Sequence, residues 1–554
     1  MDTTRRSALR TGLVVGSAAL VAGAATAAGA APRADARPTA AAVIPRSDPF
    51  TLGVASGDPE SDGFVIWTRL ALDPLAADGL GGMPSSRFQL NWQVATDERF
   101  ANVVKAGSVT ADPAWAHSAH VEVRGLRPAR EYWYRFRLGP HLSRSGRALT
   151  TPAPGSSPSS LLMAFASCSN LPAGWFTAYR HLAEERPDLI LHLGDYQYEG
   201  GGTGIGRTHA GPETKTLAGY RQRHAQYKTD LDLQEAHAAA PWLVVWDDHE
   251  VDNNYADDLA DRPVEQPGFL ERRAAAYRAY YENMPLRRRS VPAGPDLDLY
   301  RRSAWGDLAT LHMMDTRQYR SDQACGDGYK DCPAADDPAR SLPGLEQEKW
   351  LLDGFRDSSA RWDILGQQVF FGRRDNDPTA ATTVSMDAWD GYRASRQRIT
   401  QGWVDADVRN PVVLTGDVHA HWASDLYLDY DEAASAKPVG SELITSSITS
   451  GGNGYDEADG AHPWAAWNPN LRFWTNLRGY VSTTITPTEM TARFRCVPQV
   501  TTPGADVFTR ATFVLEDGVR GLQQEQAAPQ RQLRSSRTDE QKVADTIAAE
   551  THAD

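Results

Sequence analysis

The sequence predicts an α/β sandwich of sheets flanked by helices, preceded by an all-β sandwich domain of the fibronectin/immunoglobulin type. Three observations carry that reading. Before residue 151 the apolar pattern alternates with period two, as in Phe88-Gln89-Leu90-Asn91-Trp92-Gln93-Val94. After residue 160 short apolar runs alternate with stretches of helical spacing, the mark of a sheet covered on both faces. The chain, at 554 residues, exceeds one ordinary domain, and 41% apolar residues supply ample core.

Residues 1–36 read as a signal peptide and linker. Thr4-Arg5-Arg6-Ser7-Ala8-Leu9-Arg10 is a twin-arginine n-region, followed by an apolar stretch rich in Ala and Gly. That composition argues against a membrane anchor, and no Cys follows to be lipidated. Twin-arginine export carries folded proteins, so a metal site can be filled first. The expected destination is the extracellular or cell-wall space.

Residues 48–151 form the β-sandwich. Gly125-Leu126-Arg127-Pro128 followed by Tyr132 has the form of a tyrosine corner. Pro, Gly and Ser between 151 and 160 make a linker. Residues 160–520 are the α/β domain. Strands are expected at 161–166, 189–193, 242–246, 308–314, 364–371, 411–414 and 443–449, and helices at 217–240, 269–283 and 345–355. Three antiparallel closing strands follow, at 479–485, 491–496 and 511–515. Residues 521–554 are polar and read as a disordered tail in preference to a short helix over the site.

Three acidic runs end three of the apolar strands: Gly194-Asp195-Tyr196-Gln197-Tyr198-Glu199, Trp246-Asp247-Asp248-His249-Glu250 and Gly416-Asp417-Val418-His419-Ala420-His421. Strands that end together at one sheet edge deliver such groups to a single point. So many carboxylates share a site only where cations neutralise them. The chain therefore reads as a metal-dependent hydrolase. Gly194 lets the backbone turn and aims Asp195, which can bridge two cations, while Tyr198 can add a phenolate. Cys168 ends a strand of its own, and a thiolate beside a phenolate suits ferric iron. Asp248 reads as a ligand, and His249 as the acid or anion stabiliser. Glu250 and Asn253 offer an all-oxygen site suited to calcium. Asp417 and His419 divide between two metals, with His421 outside them.

Other features read as structural. Asp247, Asp252 and Asp257 fit a solvated acidic loop, and Asp315 with Arg317 a supporting pair. The Gly-rich run 200–206 lacks the Lys-Ser/Thr of a phosphate loop and reads as a mobile rim, with Arg207 a surface group. Trp464, Trp467, Phe473 and Trp474 fit ordinary packing. Cys325 and Cys332 can pair outside the cell, and Cys496 is a small buried hydrophobe. The net charge of −14 argues against a nucleic-acid-binding role.

Taken together with Ser167-Cys168 and Met314-Asp315-Thr316-Arg317-Gln318-Tyr319-Arg320, the acidic runs resemble the alkaline phosphatase D family, distant relatives of purple acid phosphatases. The resemblance covers nearly the whole mature chain. It implies a metallophosphatase-type fold, Fe3+ with two Ca2+, hydrolysis of phosphate mono- and diesters by a metal-held hydroxide, and twin-arginine export. By motif it implies Cys168, Asp195, Tyr198 and His419 on iron. Asp195, Asp248 and Asp417 would hold one calcium and Glu250 with Asn253 the second, with the division between the calcium ions left open. Asp195 and His249 are the expected catalytic residues. Gln367 and Gln368 stand where purple acid phosphatases place a histidine. The expected partners are a phosphate ester substrate and the export machinery. A membrane is touched only under the alternative of a phospholipase D-type enzyme acting on lipid head groups. The alternative of another class, a non-catalytic surface-binding protein, is disfavoured because every ligand-type residue is present.

Overall fold

The computed structural model describes residues 43–379, 381–527 and 537–551, so the twin-arginine region lies outside it. Two sheets build the site. The first has ten strands, and its centre is parallel: Leu161–Ala166, Leu189–Leu193, Pro241–Val245 and Val54–Glu60 run side by side. Arg478–Ile485, Glu489–Val497, Phe508–Glu516 and Gln523–Ala527 extend one side antiparallel, and Gly63–Arg69 with Ser118–Val123 extend the other. The second has seven strands, with Ala309–Met313, Trp362–Gly366, Pro411–Thr415 and Gly440–Ile444 parallel at its centre. One apolar core joins the sheets, with Leu191, Leu193 and Val245 on one side and Leu311, Ile364 and Leu414 on the other. Strands buried on both faces are mostly apolar, as Leu161–Ala166 and Pro241–Val245 are throughout; the polar residues that interrupt the others, such as His192, Asp363 and Glu442, are themselves buried.

The amino-terminal segment is all-β. A separate sheet of Phe88–Ala95, Val103–Ala111, Glu131–Leu138, His141–Leu142 and Gly146–Leu149 faces the 54–60, 63–69 and 118–123 strands. The Tyr132 hydroxyl accepts the Arg127 N–H at 3.0 Å, which forms the tyrosine corner. The facing layer is shared, however. Ser56 and Gly57 pair in parallel with Pro241 and Trp242, so the amino-terminal strands continue the ten-stranded sheet. Residues from Val43 onward form one unit.

Several elements differ from the sequence reading. The helix expected over 217–240 is two, Leu217–Lys228 and Leu231–Ala239, because the Asp230 side chain caps the second by accepting the Leu233 N–H at 3.1 Å. The 364–371 stretch leaves the sheet after Gly366. Asp539–Thr551 is a helix rather than a disordered tail: Val543 and Ile547, four residues apart, pack on the core around Trp422 and Trp464, and the Thr546 hydroxyl lies 3.0 Å from His462 Nε2. Cys325 and Cys332 form a disulfide, and Cys496 is buried and free. Among the described residues no helix is long and apolar enough to cross a membrane.

Behind the first sheet, Lys228 is buried with no carboxylate partner among the described residues. Its Nζ lies 2.9 Å from the Tyr196 hydroxyl and 3.2 Å from His237 Nε2, over the Trp67 and Tyr196 rings. Burial, with Arg69 adding to it, pushes its pKa well below the ordinary 10.5. Between the lowered folded value and 10.5 the unfolded chain holds a proton that the folded chain lacks. Stability therefore rises with pH across that interval, by up to about 1.4 kcal/mol per unit. Lys228→Met is expected to raise stability at neutral pH and flatten this rise, as urea unfolding at pH 7 and pH 9 would show.

Candidate active site

Four strand ends meet at one edge. The 161–166 strand delivers Cys168, 189–193 delivers Asp195, 241–245 delivers Asp247 and Asp248, and 411–415 delivers Asp417 and His419. The turns are stitched together, since Cys168 N–H donates to Gly194 O at 3.2 Å and Ser169 N–H to Asp195 O at 2.9 Å. The backbone turns abruptly at these points. Cys168, Asp195, Asp417 and His419 all have φ between 52° and 60°, a left-handed conformation that side-chain-bearing residues hold only under constraint. Gly194 must be glycine: its φ is 100°, and a Cβ there would sit 2.4 Å from the Asp247 Cβ.

Two groups of donors result. Ligand atoms of Cys168, Asp195 and His419 lie within 4.8 Å of one another, and so do those of Asp195, Asp248 and His249. Asp195 belongs to both groups, the position of a bridge. Tyr198 joins the first group, donating to Asp195 Oδ2 at 3.0 Å with its oxygen 3.0 Å from His419 Nε2, and Ser450 donates to that oxygen at 2.6 Å. The set is one thiol, one phenol, one imidazole and one carboxylate, the donors that suit ferric iron. Asp195 Oδ1 and His249 Nε2 are buried with no partner among the described residues. Atoms of that kind fit a bound cation or substrate.

The electrostatics agree with that fit. Burial, and then Asp248, Asp247 and Glu250 against the relief from His249, pushes the Asp195 carboxyl well above the usual range. Desolvation, then Asp247 and Asp248, does the same to Asp417, which stands half-buried outside both groups. Burial and Asp195 push up the Cys168 thiol, and burial and Arg478 pull His419 down to about 3. His249 moves the other way: against burial, Glu199, Asp195 and Asp248 hold it well above 6.5.

Glu250 and Asn253 lie outside both groups. The Glu250 carboxylate accepts the backbone N–H groups of Asp195, Tyr196 and Asp247 at 3.1, 2.6 and 2.9 Å, so it clamps two ligand turns to each other. Asn253 is half-buried and enters through its backbone N–H, which donates to Glu199.

Asp247 and Asp252 are buried, not a solvated loop. Each faces an arginine, Asp247 on Arg317 Nε at 2.5 Å and Asp252 on Arg272 at 3.1 Å. The Arg317 guanidinium does not pair with Asp315. It grips Asp387 through two nitrogens at 2.9 and 2.8 Å and reaches Asp248 at 3.4 Å, while Asp315 accepts backbone N–H groups and the Trp246 indole. The Gln367 amide is used by Val369, Thr415 and Trp389, and that of Gln368 by Thr316 and Met314. Arg207 pairs with Asp230 and stacks on Phe176. Trp464, Phe473 and Trp474 are buried in packing.

The sequence reading missed Asp387, Asp327 and Glu199. Asp327 accepts from the Asn254 amide at 3.0 Å, whose backbone N–H binds Asp248 at 2.8 Å. Asp327, between Gly326 and Gly328, and Asp387, just after the two-residue strand Val384–Ser385, lie away from the parallel strand ends that mark the other acids. Glu199 was visible as the last residue of its run.

Glu250→Gln leaves one oxygen for three N–H donors. It is expected to cost about 2–4 kcal/mol of stability and to lower the metal content, measured by urea unfolding and elemental analysis.

Comparison with known proteins bears on what gathers here. The family model for PhoD-like phosphatase matches residues 163–494, and that for the PhoD-like phosphatase N-terminal domain matches residues 36–152. Alkaline phosphatase D of Bacillus subtilis (strain 168) is 49% identical over 485 residues, covering 86% of this chain and 82% of that protein. The solved structure of PhoD superimposes with a TM-score of 0.87 at 45% identity, covering 92% of this chain and 99% of that one.

Proposed function

This chain belongs to the PhoD-like phosphatase family, and from that premise we propose that it hydrolyses phosphate mono- and diesters at a site holding Fe3+ and Ca2+. The second Ca2+ expected on Glu250 and Asn253 is not carried over, because the Glu250 carboxylate is already taken up by three backbone N–H groups. The observation that carries the reading is the meeting of Cys168, Asp195, Tyr198 and His419 beside Asp195 Oδ1 and His249 Nε2, buried atoms that lack partners among the described residues. Cys168, Asp195, Tyr198 and His419 would hold the iron. Asp195, Asp248 and Asp417 would face the neighbouring calcium. When bound, these cations would neutralise the phosphoryl oxygens and activate water.

The chain's own residues supply the rest. Asp195 would bridge the two donor groups and fix their spacing. His249 would direct Nε2 at the leaving oxygen and donate a proton as it departs. Tyr198, fixed by Ser450, keeps the Asp195 carboxylate in one orientation. The lipid head-group alternative has less support: of its four candidate rim residues Trp464, Phe473 and Trp474 are buried in the fold, and Trp467 is half-buried with its indole donating to Asp375 O at 3.0 Å.

The test is initial rates on p-nitrophenyl phosphate and bis-p-nitrophenyl phosphate at alkaline pH with calcium, alongside iron and calcium content. Wild type is expected to be coloured, iron-bearing and active, and Asp195→Asn to lose metal and activity together. An active enzyme free of iron would overturn the metal assignment.

The twin-arginine run supports export across the membrane to the extracellular or cell-wall space by the twin-arginine machinery. Replacing Arg5 and Arg6 by Lys is expected to retain the protein inside the cell, read by fractionation and immunoblot. Secretion unaffected by that change would discard this route.

A further inference from the structure

The geometry points to Glu199 as the residue that positions His249 for proton donation to the leaving group. The inference rests on the reading that His249 touches the substrate, and it adds what makes that possible. Glu199 is buried, 6% exposed, and both of its oxygens are engaged. Oε2 lies 2.7 Å from His249 Nδ1, and Oε1 accepts the Asn253 N–H at 2.9 Å. A carboxylate held at both oxygens cannot swing, so the imidazole bonded to it cannot turn over. With Nδ1 taken by Glu199, Nε2 is the nitrogen left for chemistry, and it is buried without a partner among the described residues.

The neighbours of Glu199 complete the clamp. Gln197 donates its side-chain amide to the His249 carbonyl at 2.8 Å. The Tyr198 ring covers the imidazole face, with centroids 4.1 Å apart. Three consecutive residues thus hold one histidine by its backbone, its ring face and its Nδ1. The run that supplies Asp195 also aims the proton donor, so the two groups are placed together. Orientation within a fraction of an ångström is what such positioning contributes to rate.

The step balances without any further reactant. A water oxygen forms the new bond to phosphorus and releases its proton to solvent. The bond from phosphorus to the leaving oxygen breaks with its electron pair on that oxygen, which takes the Nε2 proton and departs as the alcohol. His249 is left neutral, with its Nδ1–H still on Glu199, and regains a proton from solvent.

A donor matters most when the leaving group is poor, which separates positioning from simple scaffolding. The experiment is steady-state kinetics of holoenzyme, Glu199→Gln, His249→Ala and the double variant on dinitrophenyl, p-nitrophenyl, phenyl and alkyl phosphates, with metal content for each. Glu199→Gln is expected to lower kcat on phenyl and alkyl esters by about 100-fold, in keeping with the loss of a general acid, and to change the dinitrophenyl rate, KM and metal content little. The double variant should be no slower on phenyl phosphate than His249→Ala alone. Equal loss on every ester together with loss of metal would make Glu199 only an anchor for the Asn253 loop and overturn the proposal. If His249→Ala selectively slows poor leaving groups while Glu199→Gln does not, Glu199 is excluded and the reading of His249 stands. If His249→Ala slows all esters equally, that reading itself falls, and the proposal with it. Should Glu199→Gln not fold, Glu199→Asp, too short to reach Nδ1 and Asn253 at once, is expected to give the same selectivity in weaker form, and its absence would overturn the proposal.

Discussion

The gathering of negative charge at the carboxyl ends of parallel strands is the constraint on which this structure depends. Asp195, Asp247, Asp248 and Glu250 are all buried within one small volume. Left alone, such a cluster would protonate or pull the strand ends apart. The fold answers with devices of its own before any cation is counted. Arg317, fully buried and always charged, takes up Asp247 and Asp387. Glu250 spreads its charge over three backbone amides. His249 is held between Glu199 and the Asp195 side of the site. For Asp195 and Asp417 the relief from His249 and Arg317 does not offset burial and the neighbouring carboxylates, and their carboxyls are driven far up.

Much of this was legible in the sequence, for a definable reason. Strands buried on both faces must be apolar, so 189–193, 241–245 and 411–415 announce themselves, and any acidic run directly after them is conspicuous. Gly194 and Gly416 mark the turns because a Cβ on either would collide with a neighbouring strand end, 2.4 Å from Asp247 Cβ and 2.7 Å from Leu193 O. Local spacing also located the tyrosine corner and the Cys325–Cys332 bridge. It could not tell a member of a donor group from a clamp: Glu250 follows the same strand as Asp248, and only its contact with Asp195 and Tyr196, more than fifty positions earlier, sets it apart.

The remaining differences share one cause, contacts distant in sequence. Asp387 and Asp327 come from irregular segments, and Arg317 finds Asp247 across the molecule. A polar tail became a helix because Val543 and Ile547 find a surface near Trp464. Asp247 looked like solvated loop because its neutralising arginine is seventy positions away.

The pairing of Ser56 and Gly57 with Pro241 and Trp242 has a consequence for how the chain is made. A strand near the amino terminus pairs with its neighbour Gly63–Arg69 on one side, but its other edge stays open until a segment in the middle of the polypeptide has left the ribosome. The strand that closes that edge is the one that leads into Asp247 and Asp248. The early β segment therefore cannot finish folding ahead of the catalytic sheet, and removing it would strip that sheet of a neighbour and leave raw backbone at its edge. A chain arranged this way carries, close to its beginning, a local readout of whether its distant centre has been assembled.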